Sequence, residues 1–401
     1  MRLWEEIEVA QNKIQKAILR TPTIYSDTLS ELFGKEVFLK LENLQKTGSF
    51  KIRGAYYKLS QLTPSMKKGG VVAASAGNHA QGVAWASSLL GIHSTIVMPE
   101  GVSLAKQMAT QSYGGEILLF GQNTDEALGH AKKLAKEGKP LVHPFDDEQV
   151  IAGQGTIGLE ILKEVPEVEA IIIPVGGGGL VSGIATIVKK RRPRVKIIGV
   201  QSIHAPSAFY SLKRKKIVEG EVKPTLADGI AIRRVGEITF PMIQRGVDEM
   251  VTVNEDEIAS AILMLMERKR VVAEGAGAAP LAALLSGRLK IRSKKVVLVI
   301  SGGNIDVHLL DRIIEKGLAQ TGRLVRFTIL LRDVPGALTK LTRLVAQHRA
   351  NILHIIHERA AKDIPIGFSK VILVLETRGS DHIREIRGGL KEKGYSLQTP
   401  S

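Results

Sequence analysis

The feature that most constrains the fold of this chain is a regular alternation of short apolar runs and helical stretches. Apolar runs such as Val71–Ala74, Ser94–Met98 and Ala170–Pro174 are separated by segments with the apolar spacing of a helix. The cycle continues through four further runs, Ile117–Phe120, Leu141–His143, Val195–Val200 and Lys294–Ile300. Strands that alternate with helices are typical of parallel sheets covered on both faces. We therefore predict an α/β fold whose functional loops follow the C-terminal ends of the strands.

A change of pattern near residue 320 indicates a second domain. A predicted helix from Val307 to Gly317 is followed by the polar turn Ala319–Gly322. The remainder, 324–401, has the order β-α-β-β-α-β and the length of an independent small domain. The sequence thus predicts a main region over 1–318, a linker at 319–323 and a small C-terminal domain.

Composition excludes several classes of function. The 401 residues include no cysteine, which removes disulfides, thiolate metal sites and cysteine nucleophiles. Aromatic residues make up only 4% of the chain, too few to favour a base-stacking nucleic-acid surface. The formal charge of +16 is spread along the chain, and its clusters Lys189–Arg192 and Lys213–Lys216 are interpreted as solvated surface. Neither an 18-residue apolar run nor a basic-then-apolar N-terminus is found, so we expect a cytoplasmic protein without a membrane partner.

The first of four chemical motifs is Lys46–Ala55. Its lysine, Lys51, is flanked by Phe50 and Ile52. Desolvation lowers the pKa of an ammonium group and gives a nucleophilic amine that forms an imine with a carbonyl group. Taken alone, the motif is more typical of a surface lysine at the start of a helix.

The second and third motifs each follow an apolar strand. Ser75–Gly82 opens a helix, where exposed N–H groups bind anions such as a carboxylate, and where Asn78 can hydrogen-bond a phenolate. Pro174–Gly183 contains the four consecutive glycines 176–179, which let backbone N–H groups converge on a phosphate. It matches neither the dinucleotide pattern nor a Walker loop.

The fourth motif, Ser301–Asn304, places a short hydroxyl at the end of a strand, where it can meet a ring nitrogen without imposing a charge. Each motif alone is also compatible with a plain turn. Together they supply an amine, a phosphate nest, a phenol partner and a pyridine partner. Pyridoxal phosphate is the cofactor that needs all four.

With these motifs, residues 1–318 resemble the fold-type II pyridoxal-phosphate enzymes, and most of all their threonine/serine dehydratase branch. The resemblance implies a small subdomain at about 46–145 inserted in a larger one. It implies that Lys51 forms the imine with the cofactor and moves the α-proton of the substrate. The implied cofactor contacts are Phe50, Lys51, Asn78, Gly176, Gly177, Gly178, Gly179, Leu180, Glu274 and Ser301, and the implied substrate contacts are Ser75, Asn78 and His79. Asp228 lies in a further family motif without an assigned role.

The reaction implied by this resemblance is β-elimination, in which L-threonine gives 2-oxobutanoate and ammonia and L-serine gives pyruvate. Serine racemases share nearly every motif, but they carry a second catalytic serine where this chain has Ala76, which favours the lyase. The sulfhydrylase branch differs in its glycine loop. The preference between threonine and serine stays open.

Some relatives bind two further ligands, a divalent cation and an adenine nucleotide. The cation of some relatives is held by carboxylates at positions that correspond to Gln201, Ala205 and Ser207, so no metal is predicted. An adenine nucleotide at a subunit interface is left open, near four positions, Lys46, Thr47, Gln81 and Tyr113. A rival of another class, a silent regulator that binds nucleic acid, would not need Lys51.

Residues 324–401 resemble an ACT domain, a regulatory module that binds amino acids between paired copies. The matching features are the turn Asp333–Ala337 and the segment Ala350–Leu353. The resemblance implies ligand contacts at Gly336 and Asn351, with isoleucine or valine as effector, in a homodimer or homotetramer. The alternative is that the domain only dimerises.

Overall fold

Two separate sheets organise the first unit of the chain, Met1–Ile305. The computed structural model describes residues 1–289, 292–360 and 362–398. The larger sheet has six strands in the order β1-β2-β9-β6-β7-β8, and the smaller has the order β3-β4-β5. Their bounds are β1 Thr23–Tyr25, β2 Glu36–Leu41, β3 Val71–Ala74, β4 Ser94–Met98, β5 Glu116–Leu119, β6 Ala170–Pro174, β7 Lys196–Ser202, β8 Glu249–Val253 and β9 Lys295–Ile300. All strand pairs in these sheets are parallel except β1 with β2.

Thirteen α-helices accompany these strands in the described part of the first unit. They are α1 Leu3–Ile14, α2 Asp27–Phe33, α3 Lys51–Ser60, α4 Pro64–Lys68, α5 Asn78–Leu89, α6 Leu104–Ser112, α7 Thr124–Lys136, α8 Glu148–Glu164, α9 Gly179–Arg191, α10 Ser207–Arg214, α11 Thr239–Gly246, α12 Glu255–Lys269 and α13 Gly275–Leu285. Short 3-10 turns occupy Glu42–Leu44 and Asp228–Ile230. Every residue of β3, β4 and β6 is buried, as expected for parallel strands with helices on both faces.

The predicted α/β alternation is confirmed, with differences at particular strands. Leu141–His143 was predicted as a strand but forms only a single parallel bridge, from Leu141 to Val72, because the chain turns away at Pro144. Strands β1, β2 and β8 were not delimited from the sequence. Strand β2 was not predicted because Lys40 interrupts its apolar pattern. The ammonium group of Lys40 is fully buried and lies 2.7 Å from the Glu160 carboxylate.

Helix α3 is held against α8 at very short range. A Cβ atom on Gly153 would lie 2.6 Å from the Gly54 Cα and 2.7 Å from the Arg53 carbonyl oxygen. Helix α8 in turn contacts α9, since a Cβ on Gly183 would lie 2.6 Å from the Gly155 nitrogen. These glycines therefore let three helix backbones pack closer than any side chain would allow. Lys51 is the first residue of α3, so this packing sets its position.

A buried ion cluster ties the same helix to its neighbours. The Arg53 guanidinium is fully buried and lies 2.8 Å from Glu42 and 2.7 Å from Glu160. It also donates to the Thr156 hydroxyl at 3.1 Å. All five N–H donors of the guanidinium thus meet acceptors, which is the condition under which a buried charge is tolerated.

The second unit, Asp306–Ser401, has the predicted βαββαβ order in its sheet region. Its elements are α14 Val307–Gln320, β10 Leu324–Arg332, α15 Ala337–Gln347, β11 Asn351–Glu358, β12 Phe368–Glu376, α16 Ser380–Glu392 and β13 Ser396–Gln398. The antiparallel sheet has the order β11-β12-β10-β13. Helix α14 contacts β10 and lies in this unit, whereas the sequence analysis placed it in the main region. In the described residues no helix is long and apolar enough to cross a membrane.

Candidate active site

The Lys51 segment and the end of β9 lie side by side. The Phe50 N–H donates to the Ser301 carbonyl at 3.0 Å, and the Gly303 N–H donates to the Gly48 carbonyl at 2.9 Å. Ser49 and Gly302 form an isolated antiparallel bridge between these hydrogen bonds. Two motifs some 250 residues apart in the chain are thereby joined through their backbones. The sequence predicted both motifs but not this pairing.

Lys51 has a buried amine. Its Nζ donates to the Pro144 carbonyl at 2.8 Å and lies 5.1 Å from the centroid of the Phe50 ring. Burial lowers the pKa of Lys51 to about 8, although the nearby Glu274 carboxylate acts in the opposite direction. At neutral pH the side chain is therefore far closer to a free, nucleophilic amine than an exposed lysine is.

Asn78, Glu274 and Asn304 form a hydrogen-bonded chain beside the lysine. The Asn78 Nδ2 donates to the two oxygens of Glu274 at 2.7 and 3.0 Å. The Asn78 Oδ1 accepts from the Asn304 Nδ2 at 2.7 Å, and Asn304 also donates to the Thr47 carbonyl at 2.8 Å. The structure thus brings three of the four motifs to one place, together with Glu274.

Glu274 is only 5% exposed and directly precedes the first residue of α13. Burial, together with a smaller contribution from the Asp228 carboxylate, raises the pKa of its carboxyl to about 7. The hydrogen bonds from Asn78 and from the Asn304 backbone oppose this shift, as does Lys51. A carboxyl with this pKa exchanges a proton near neutrality, which is common in catalytic sites.

The glycine loop follows β6 and opens α9. Gly178 has a φ of +101°, and Gly179 is the first residue of the helix, so the first N–H groups of α9 have no intrahelical acceptor. A Cβ on Gly177 would lie 2.4 Å from the Phe145 ring, and one on Gly178 would lie 2.8 Å from the Thr239 hydroxyl. Side chains are therefore excluded from a loop whose N–H groups suit an anion. Gly176 and Leu180 flank this cradle, and Leu180 is 5% exposed.

The remaining predicted residues of the second and fourth motifs occupy distinct environments. Ser301 is 2% exposed at the end of β9. The Ser75 hydroxyl accepts from the Gly77 N–H at 3.2 Å, just before α5 begins at Asn78. His79 is buried, and its Nε2 lies 2.8 Å from the Val142 carbonyl oxygen. Burial lowers the pKa of His79 to about 3, so the imidazole is neutral. Because the ring is buried, the part of His79 that can contact a ligand is its backbone, in the first turn of α5.

One segment of the site, His143–Asp147, was missed. Its Pro144 carbonyl meets Lys51, and its Phe145 ring lies against the glycine loop. The Asp146 carboxylate accepts from three consecutive N–H groups at 2.9 to 3.2 Å, at the start of α11. A signal was present, because this segment follows the apolar run Leu141–His143 just as the other motifs follow theirs.

The positions considered for other ligands can also be placed. Gln201 is fully buried, and its Oε1 accepts from the Phe209 N–H at 2.8 Å. Ala205 and Ser207 follow it, and the residues that the structure describes contain no group of three metal-ligating side chains. The Tyr113 hydroxyl donates to the Lys46 carbonyl at 3.1 Å. Thr47 is buried, and Gln81 lies in α5.

In the second unit, Gly336 and Asn351 lie at element ends. Gly336 has a φ of +84° and precedes α15, with open space where a Cβ would lie. Asn351 begins β11, and its Nδ2 donates to the Glu376 carboxylate at 3.2 Å. The ligand contacts inferred for these residues stay a prediction.

Known proteins resemble this chain along its whole length. It is 52% identical to a Thermotoga maritima protein named L-threonine ammonia-lyase, over 98% of each chain, and 50% identical to a Geobacter sulfurreducens protein of that name, over 97% of each. A processed form of threonine deaminase isoform 2 from Solanum lycopersicum superposes with a TM-score of 0.74 at 38% identity, covering 78% of this chain and 92% of that one. Serine racemase from Dictyostelium discoideum gives a TM-score of 0.72 at 38% identity, covering 76% and 99%.

The family model described as pyridoxal-phosphate dependent enzyme matches residues 14–302, a range that ends within the loop after β9 and contains Lys51, Asn78, the glycine loop and Glu274. An amine, an anion cradle and a hydroxyl at a strand end are the groups that this cofactor needs, and the match spans all of them. This chain therefore belongs to the family of pyridoxal-phosphate-dependent enzymes.

Proposed function

We propose that the protein eliminates water from L-threonine and that water then hydrolyses the resulting imine, so that the net products are 2-oxobutanoate and ammonia. L-Serine gives pyruvate and ammonia in the same way. The observation that carries this proposal is the buried Lys51 amine, which lies in one site with the glycine loop, Asn78 and Ser301. The proposal is also supported by a relative, a protein named L-threonine ammonia-lyase that is 52% identical to this chain over 98% of both chains.

The residues present fit pyridoxal phosphate. The loop 176–180 provides N–H groups and space for its phosphate, since a Cβ at Gly177 or Gly178 would meet neighbouring atoms within 3 Å. Phe50 would pack on the ring, Ser301 would face the ring nitrogen and Asn78 would contact the 3-oxygen. The substrate carboxylate would be held at the start of α5, by the segment of Ser75, Asn78 and His79.

When bound, the cofactor supplies an electron sink that makes the α-hydrogen of the amino acid acidic. The task left to Lys51 is to take up that proton at Nζ. With a pKa of about 8, roughly a tenth of the Lys51 side chains carry a neutral amine at pH 7. For an ordinary lysine the neutral fraction is less than about a thousandth. Glu274 holds or releases a proton nearby, and its hydrogen bonds orient the Asn78 amide.

A racemase is the rival activity, because serine racemases are among the similar structures. Ala76 has no hydroxyl to return a proton to the opposite face of the substrate, which favours elimination. The formation of D-serine from L-serine would support the rival.

The second unit is proposed to bind isoleucine or valine and to alter the activity, with contacts at Gly336 and Asn351. Support comes from the βαββαβ order and from the open space at Gly336. We further expect a homodimer or homotetramer in the cytoplasm, with no nucleic-acid partner. Titration of both amino acids into the full-length protein, with no heat and no change in rate, would contradict the regulatory role.

The test of the main proposal is a spectrum of the purified protein, followed by addition of L-threonine and an assay for 2-oxo acids. We expect a yellow imine band and release of 2-oxobutanoate, and loss of both in Lys51→Ala. The matched control is Lys68→Ala, because Lys68 is exposed at the end of α4. A yellow protein that releases no 2-oxo acid would refute the proposed reaction, and a colourless protein that cannot be reconstituted would refute the assignment of the site.

A further inference from the structure

Phe145 belongs to a segment that contacts both the Lys51 amine and the glycine loop. The preceding residue, Pro144, accepts the hydrogen bond of the Lys51 amine at 2.8 Å. On the other side, a Cβ on Gly177 would lie 2.4 Å from three atoms of the Phe145 ring, and one on Gly179 would lie 3.0 Å from the Phe145 Cα. The segment Pro144–Phe145 therefore contacts both the lysine amine and the glycine loop.

The segment around Phe145 is firmly held. The His143 ring meets the Phe145 ring edge-on at 4.8 Å, and the His143 Nδ1 accepts from the Asp146 N–H at 2.8 Å. Burial lowers the pKa of His143 to about 4, so this partner is neutral. Asp146 in turn caps the start of α11 through three N–H groups. Despite these contacts Phe145 remains partly exposed.

The proposed reaction places the substrate next to this ring. Lys51 takes the α-proton, so the α-carbon lies within reach of Nζ. The hydroxyl on the β-carbon takes up a proton and leaves as water, and the phosphate that the glycine loop would hold is the group that would supply this proton. The β-carbon then lies beside the segment Pro144–Phe145, which contacts both the amine and the loop. Threonine differs from serine only by a methyl group on this carbon.

We propose that Phe145 determines specificity, by giving the methyl group of L-threonine an apolar surface that L-serine does not use. The inference rests on the proposed function and adds to it the basis for choosing between its two substrates. One methyl group in an apolar pocket discriminates by about tenfold or more. The carboxylate and hydroxyl contacts are shared by both amino acids, so the discrimination falls on this ring.

The test compares Phe145→Ala and Phe145→Leu with wild type. The first measurement is the ratio of kcat/KM for threonine to that for serine, which we expect to fall about tenfold in Phe145→Ala and less in Phe145→Leu. The second is equilibrium binding of L-2-aminobutanoate and L-alanine to the holoenzyme, followed by the cofactor spectrum. This pair differs by the same methyl group but has no hydroxyl to eliminate, so the ratio of the two Kd values should change by a similar factor without turnover. The control is Phe120→Ala, whose ring is half-exposed and stacks on His130.

Two results would overturn the inference. If Phe145→Ala lowers the rates for both substrates equally and leaves the ratio of Kd values unchanged, the ring only supports the glycine loop. Weaker binding of pyridoxal phosphate to the cofactor-free variant, without a change in either ratio, would have the same meaning. Failure of the proposed function is distinct, since wild type would then release no 2-oxo acid while the binding comparison would still report on the ring.

Discussion

Substitution of Gly153 by alanine tests whether close helix packing positions Lys51. The new Cβ would lie 2.6 Å from the Gly54 Cα, 2.7 Å from the Arg53 carbonyl oxygen and 2.8 Å from the Gly54 nitrogen. All three atoms belong to the backbone, so no side-chain rotation relieves the contact. Because carbon atoms pack at about 3.5–4.0 Å, helix α3 must move away from α8 by roughly 1 Å.

This displacement has two expected costs. Overpacking of a tight core lowers the free energy of unfolding by about 1–3 kcal/mol. A misplacement of about 1 Å at a catalytic group lowers the rate by about 100-fold, and Lys51 is the first residue of the displaced helix. We therefore expect Gly153→Ala to reduce both the urea midpoint of the first unit and the production of 2-oxobutanoate.

The matched control is Gly129→Ala. Gly129 also lies inside a helix, α7, but a Cβ there would meet no atom within 4 Å. Alanine in this position is expected to raise stability by about 0.5–1 kcal/mol and to leave the rate unchanged. If Gly153→Ala unfolds at the same urea concentration as wild type and retains full activity, the packing argument is refuted.

Two other substitutions test single groups. Glu274 has its pKa raised to about 7 in the folded protein, so a protonated carboxyl stabilises the cofactor-free protein below about pH 4.5, and this stabilisation is lost as the pH rises to about 7. The glutamine in Glu274→Gln stays neutral, so the free energy of unfolding of this variant, relative to that of wild type, should rise between about pH 4.5 and pH 7. Urea titrations at several pH values measure this difference, and a constant difference would contradict the raised pKa. Asp146→Ala leaves three N–H groups at the start of α11 without their acceptor, and should lower the free energy of unfolding by about 1–2 kcal/mol, whereas an unchanged urea midpoint would show that the cap contributes nothing.

Much of the first unit was predictable from the sequence, because its buried strands are continuous apolar runs. Val71–Ala74, Ser94–Met98 and Ala170–Pro174 have the bounds of β3, β4 and β6 in the structure. Strand β2 was not predicted because a lysine, Lys40, lies within it. Its buried charge is paired with Glu160, which is 120 residues further along the chain. A pattern of local hydrophobicity does not contain such a partner.

The site shows the same limit. Lys51, Asn78, the glycine loop and Ser301 were recognisable because each needs a residue type that is uncommon at its place in a strand–loop–helix unit. Phe145 was not, since a phenylalanine after an apolar run is ordinary. Its contact with Gly177 arises from the tertiary fold alone. The hydrogen bonds that join Asn78 to Glu274 and Asn304 are likewise set by side-chain geometry that no spacing encodes.

The position of β9 in the large sheet has a consequence for biosynthesis. This strand, Lys295–Ile300, lies between β2 and β6 and pairs with both. Until the ribosome has released it, the sheet exists only as two separate edges, β1–β2 and β6–β7–β8. The smaller sheet has all three of its strands by residue 119 and depends on no later one. Domains fold as units during synthesis, so the small sheet assembles early, while exposed apolar edges of the large one await a segment made near the end of the first unit. The strand order itself thus leaves two edges of the large sheet unpaired until β9 has been synthesised.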